Sequence, residues 1–410
     1  MEPGPSRSWS ENLPTWDAPL LFEDAGRYPP FRADAWPGPV ERQVEVDASV
    51  LDGPFAFSIG GRRSWRVENV FDTAAGHLAA SRLAGTHVVR FYSTDSAALS
   101  TLTTNGVQVA GYFQSRDERW ILYPVSGKTH LLVRDDEALL ACAIRPPDVT
   151  ADADPTYHRR HAVRFPTAKG NWDIVQWNLG LWYNPRFAQS VGGDDNARLL
   201  TQAFADTQNS ALIATGSTYA RIALVISEPV GTYVVPGRTD YASVRTAEDG
   251  LHLFYNDSVL RQRRYDHKVS IAGYLDAVSD VATGLASPFW GGVPDKNSGT
   301  FAAFCGKFPA FDLFVHEIGH TLGLHHDVSS APSNAHKGTL GFINCRGRVH
   351  CAMSSSPDCV AYTQLFYSNP DHIVAGAPFG SDASNAAAVI RNYRFIIRDE
   401  FWVHAIEGDL

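Results

Sequence analysis

Residues 316 to 327 read HEIGHTLGLHHD, which places four histidines and one glutamate close together. Imidazole nitrogens bind transition metals and a neighbouring carboxylate can move protons, so spacing decides what chemistry is available. His316 and His320 are four residues apart. On an α-helix that leaves them about 40° from eclipsed, both facing one point. Glu317 lies beside them, able to reach a water at that point without being a ligand. If the helix ran on, His326 would lie ~15 Å beyond His316, too far to share an ion. Gly323 resolves this, because a glycine takes the left-handed conformation that ends helices and lets the chain turn back with His326. Three neutral imidazoles around one Zn2+, with a fourth position open, describe a catalytic rather than a structural site. HExxH alone recurs by chance in roughly a few per cent of chains this rich in histidine. The added Gly323 and His326 make chance a poor account. His325 reads as a bystander pointing away from the metal.

The helix carrying these residues is expected to open at Pro309 and to run through AFDLFVHEIGHTLG to Gly323. Ahead of it the pattern alternates strands and helices. DIVQWNLGLWY reads as a strand, and DDNARLLTQAFADTQNSAL as a helix with acidic residues at its start. ARIALVIS and HKVSIAGYL read as further strands, and SGTFAAF (298–304) as a short strand before the motif. This order is α/β.

HEIGHTLGLHHD resembles the metzincin signature HExxHxxGxxH, with Asp327 after the third histidine as in the reprolysin (adamalysin) branch. Members of that clan place a methionine in a tight turn beneath the zinc. Met353, in HCAMSS, is the one methionine besides Met1 and by this resemblance is the Met-turn residue. QLFYSNPDHIVAGAPFGSDASNAAAVIRNY is similar to the C-terminal segment of bacterial and fungal reprolysin-like peptidases, so the resemblance spans residues 165 to 400. It implies a zincin-like α/β (α+β) catalytic domain with a twisted mixed sheet and an active-site helix. One catalytic Zn2+ would be held by His316, His320 and His326, with no support for a Ca2+ site. It also implies hydrolysis of protein or peptide substrates by a zinc-activated water with Glu317 as general base. SGTFAAF would be the edge strand that pairs with substrate. Because the ligands must be neutral, activity is expected to fall below about pH 6. Ser355 stands where astacins and serralysins carry a tyrosine, which weighs against those branches. His350, in the unusual stretch GFINCRGRVHC, reads as a surface residue.

Residues 1–40, rich in Pro, Trp and Gly, read as an extended arm. Residues 41–145 hold short alternating runs such as RQVEVDASV, THVVRFYS, RWILYPV and ALLACAI, which indicate a small β-rich domain. Residues 146–164 are polar and proline-bearing, as a linker would be, and 165–410 form the peptidase-like domain. The β-rich domain resembles the propeptides of secreted metallopeptidases, implying a zymogen. In that case Cys142 would be an inhibitory switch with its thiolate on the metal; otherwise it is an ordinary strand cysteine.

The chain has 410 residues and a net charge of −9, which argues against a nucleic-acid or anionic-membrane partner. No run of ~18 apolar residues marks a membrane span. Cys305, Cys345, Cys351 and Cys359 cluster toward the C-terminus, where two disulfides would suit a secreted protein, while free buried thiols would suit a cytosolic one. No signal peptide is visible at the start of the sequence. Two other functions compete: a catalytically silent binding or adhesion module on a metzincin scaffold, and a zinc hydrolase of a non-protein substrate.

Overall fold

The computed structural model describes residues 19–24, 41–59, 63–67, 83–92, 99–114, 119–134, 141–142, 175–217, 220–232, 240–278, 283–286, 301–305, 310–326, 338–354 and 362–392. The expected linker, Asp327 and Ser355 lie outside these residues.

The N-terminal part consists of β-strands and one 3-10 turn, Ala48–Asp52, among the described residues. Its strands are β1 (Leu20–Glu23), β2 (Glu41–Glu45), β3 (Phe55–Ile59), β4 (Arg63–Val67), β5 (His87–Tyr92), β6 (Leu99–Thr104), β7 (Val109–Gln114), β8 (Arg119–Ser126) and β9 (Thr129–Arg134). β2-β9-β8-β7-β6-β5 form an antiparallel sheet, and β1-β3-β4 a smaller one. Residues 20–23, expected in an extended arm, thus form a strand parallel to β3. Phe22, Phe57 and Phe113 pack between the two sheets, with ring centroids 4.9–6.2 Å apart. Every residue of β6 and β7 is buried, so the larger sheet is covered on both faces.

The second part is mixed α/β. Its elements are β10 (Ala141–Cys142), β11 (Val175–Tyr183), α1 (Pro185–Ser190), α2 (Asp194–Ala214), β12 (Ala220–Pro229), α3 (Ala247–Asn256), α4 (Ser258–Asp266), β13 (Ile271–Asp276), β14 (Thr283–Ala286), β15 (Phe301–Cys305) and α5 (Phe311–Thr321). Strands β11 and β13 are almost wholly buried, as central parallel strands covered on both faces should be. Asp194 and Asp195 lie in the first turn of α2, where the helix dipole favours negative charge. Thr246 and Asp249 form a capping box at the start of α3.

The sheet order is β10-β14-β15-β13-β11-β12, with β14 antiparallel to β15 and the other pairings parallel. Two expectations are corrected here. SGTFAAF, expected at the edge, supplies β15, which is flanked on both sides; β14, one strand further out, was not foreseen. ALLACAI was assigned to the N-terminal domain, yet its strand β10 joins the second sheet.

Beyond α5, β16 (Ile343–Asn344), β17 (Val349–Cys351) and β18 (Tyr362–Gln364) form a small sheet, and β19 (Asn369–Val374) pairs with β20 (Ala377–Phe379). Residues 386–392 are helical.

Candidate metal centre

Helix α5 begins at Phe311, after Ala310, two residues later than Pro309 would have opened it. Every residue in it is buried. It ends as the glycine predicted. Gly323 has φ +87°, its N–H donates to His320 O at 3.0 Å, and the Leu324 N–H donates to Gly319 O at 3.0 Å. This crossed pair of bonds is a Schellman closure. The reversed chain brings His326 back, and Gly341 N–H donates to His326 O at 3.0 Å.

The result is a triangle of ring nitrogens. His316 Nε2 lies 2.8 Å from His326 Nε2, and His320 Nε2 lies 3.1 Å from each of the other two. The opposite nitrogens are committed to backbone carbonyls: His316 Nδ1 to Ala352 O at 2.7 Å and His320 Nδ1 to Leu324 O at 2.8 Å. A neutral imidazole carries one N–H, and in these two rings Nδ1 donates it. Their Nε2 atoms therefore point lone pairs at each other. Only His326 could supply a proton to the three contacts, so the three nitrogens together could hold a cation. Three nitrogens at ~2.0–2.1 Å from a tetrahedral zinc would sit about 3.3 Å apart. The triangle is a few tenths of an ångström tighter than that, which suits a small tetrahedral ion.

The surroundings hold the rings neutral. Burial pushes the His316 pKa down, with partial recovery from the Ala352 carbonyl and the Asp312 carboxylate. Burial, then the neighbouring His316 and His326, put His320 well below the ordinary value. Burial, then His316 and His325, lower His326 to about 2. All three shifts run toward the neutral form in which an imidazole can ligate a metal.

Beneath the helix, Cys351–Ser354 forms a turn closed by Ser354 N–H to Cys351 O at 3.0 Å. Met353 lies in it, 1 % exposed. A Cβ built at Gly319 would overlap Met353 Sδ and press on Tyr367, so the glycine lets α5 settle onto the methionine. The same turn offers the Ala352 carbonyl to His316. Tyr367 adds a strut by donating to Val315 O at 2.8 Å and accepting from Gln208 Nε2 at 2.7 Å.

Glu317 is fully buried on the β14 side of α5. A Cβ built at Gly284 would overlap its Oε1 and Cγ, so that glycine makes room for the carboxylate beside β14. In the parallel register, Cys142 is the partner of Gly284.

His316, His320 and His326 are the one group of metal-competent side chains among the described residues. His325 is buried but outside it. His350 is half-buried rather than on the surface, with Nδ1 3.1 Å from Cys351 O and Nε2 3.1 Å from Thr363 Oγ1. Two disulfides among the four clustered cysteines do not form. Cys345 is disulfide-bonded, but Cys351 is a free thiol, buried among backbone N–H groups under the turn, where burial raises its pKa. Cys142 is therefore no longer singled out as the odd cysteine.

Gly284, Gly319 and Tyr367 were missed. The glycine inside HEIGH was a usable signal, since a glycine in mid-helix weakens it and calls for a packing reason. Gly284 and Tyr367 carry no such mark.

No protein-family profile and no curated protein matches the chain. Among solved structures it is similar to a chain from a chaperone–substrate complex, at 17 % identity and TM-score 0.41, covering 57 % of this chain and 36 % of that one. It is also similar to metalloproteinase-II from Bacteroides fragilis, at 12 % identity and TM-score 0.37, covering 67 % and 81 %. The chain spans about a third of the first and most of the second. A distant neighbour is thus a metalloproteinase, but overlaps this loose carry no argument. The geometry of the triad does.

Proposed function

We propose that this chain is a zinc-dependent endopeptidase of the metzincin type, reprolysin-like, acting on protein or peptide substrates. The observation that carries the reading is the triangle of Nε2 atoms, with at most one proton to share among three contacts. His316, His320 and His326 would hold the ion, and bound Zn2+ would polarise a scissile carbonyl and acidify water. Glu317 then takes a proton from the attacking water and gives it to the leaving amine. Its burial against Gly284 keeps the carboxylate away from bulk solvent and beside β14, the strand along which an extended substrate can pair. Met353 and the Ala352 carbonyl support the ligands from below.

The inhibitory element of the zymogen reading narrows to β10. It occupies the outer side of β14 in parallel register, with Cys142 opposite the glycine that accommodates Glu317. Strand and substrate would compete for one ladder. Cys142→Ala is expected to raise proteolysis by the full-length chain if a thiolate also blocks the metal. Unchanged activity removes the thiolate and leaves the strand.

The test of the activity is casein cleavage by wild type and Glu317→Gln, each with zinc and with chelator. Loss of a general base is expected to lower the rate about 100- to 10,000-fold, and chelation to abolish it reversibly. Equal, chelator-insensitive signals would instead point to the silent binding module. Zinc binding in the expected stoichiometry, with casein intact and a small ester or amide cleaved, would move the site to a non-protein substrate.

A further inference from the structure

We propose that residues 41–134 are a permanent component of this protein, bound behind the metal-site helix even when the connecting chain is cut, and not a cover that leaves. The proposal deepens the peptidase reading but stands on the seam between the two parts. Leu99, Tyr112 and Ile121 of the N-terminal sheet belong to one hydrophobic core with Leu200, Phe204 and Phe311 of the second part. Tyr112 stacks on Phe311, the first residue of α5, with centroids 6.5 Å apart, and Phe311 packs on Phe204 at 4.7 Å.

The polar side of the seam is equally closed. Arg119 Nη2 lies 2.9 Å from Asp312 Oδ2, with 3 % and 1 % of the side chains exposed. Asp312 sits one helical turn before His316. Arg90 Nε donates to Ser210 Oγ at 2.7 Å, and Thr103 Oγ1 donates to Asp206 Oδ2 at 2.7 Å. Gln114 Nε2 donates to Thr363 O at 2.7 Å, so the sheet also grips the strand beside the methionine turn. Separation would bare the shared apolar core to water, at high cost. Contacts between domains of one chain are usually more polar and looser than this, which permits motion. Here the seam has the character of a core. β10 joins the second sheet through the backbone ladder to β14.

A recognition sequence for a site-specific protease placed within residues 146–164 of the full chain tests the proposal. After complete cutting, the two fragments are expected to co-elute on size exclusion and to sediment as one species at micromolar concentration in native buffer. Separation of the fragments under those conditions overturns the proposal, whatever the C-terminal fragment then does. Arg119→Met in the cut protein is expected to weaken the association roughly a hundredfold or more, with partial recovery in Arg119→Lys. An Arg119→Met protein that binds its fragment as tightly as wild type would also count against the seam. Casein cleavage by the cut sample keeps the two ideas apart. Associated fragments that show no zinc-dependent cleavage even after residues 138–144 are deleted defeat the peptidase reading alone, while a freed C-terminal fragment that cleaves casein defeats the permanent seam alone.

Discussion

The metal site and the seam behind it are both buried assemblies of polar side chains, built in opposite ways. The site draws His316, Glu317, His320 and His326 from one helix and the bend after it. The seam joins residues more than a hundred positions apart, such as Thr103 with Asp206 and Arg90 with Ser210. In the site, the lone pairs of at least two rings converge on one point beside a third ring nitrogen. In the seam, carboxylates meet guanidinium and hydroxyl groups of the other part. Buried polarity paired across a seam reads as architecture; buried lone pairs gathered at one point read as function.

The comparison can be broken most forcefully at Arg119. Replacing it with Met leaves Asp312 charged and buried, which is expected to cost about 3–5 kcal/mol of folding free energy by urea titration. A loss under ~1 kcal/mol would mean that the seam is solvated like a surface pair. Gly319→Ala probes the site side. The added methyl must displace Met353 or lift α5 from the turn, for an expected loss of about 1–3 kcal/mol and weaker zinc retention in dialysis. Unchanged stability and zinc content would show that the methionine yields freely.

The smallest effect is expected at His130, which sharpens the contrast within the N-terminal sheet. Its Nδ1 donates to Lys128 O at 2.7 Å and its Nε2 accepts from Val109 N–H at 2.9 Å, so a proton on Nε2 breaks a bond. Burial holds the folded pKa below 6.5, with Lys128 O and Glu45 opposing. The unfolded chain therefore takes up the proton first. The stability is fully present above pH 6.5 and is lost as the pH falls through that value toward the folded pKa. Thermal melts between pH 7.5 and 5 should show this slope in wild type and a shallower one in His130→Gln; parallel slopes would discard the assignment.

What was legible in the sequence follows the same division. The His–His spacing and the helix stop at Gly323 are local, so their geometry could be worked out before any fold was known, whereas the turn at Met353 came only from the resemblance. Strands β11, β12, β13 and helix α2 announced themselves by apolar runs and an acidic start. LSTLTT, which forms β6, did not: its buried Thr101 and Thr103 donate to Ser210 and Asp206, partners that no window of sequence contains. Strand β14 was overlooked for a related reason. TGLA in β14 is short and holds the glycine that Glu317 needs, so it lacks the signature of a strand.

The ladder between β10 and β14 has one more consequence. A two-residue strap that sheathes an outer strand also denies that strand to other molecules of the same kind. Once bared, the rail would invite self-polymerisation as readily as it would accept a peptide to cut. Solubility and access would then trade against each other at one row of backbone amides.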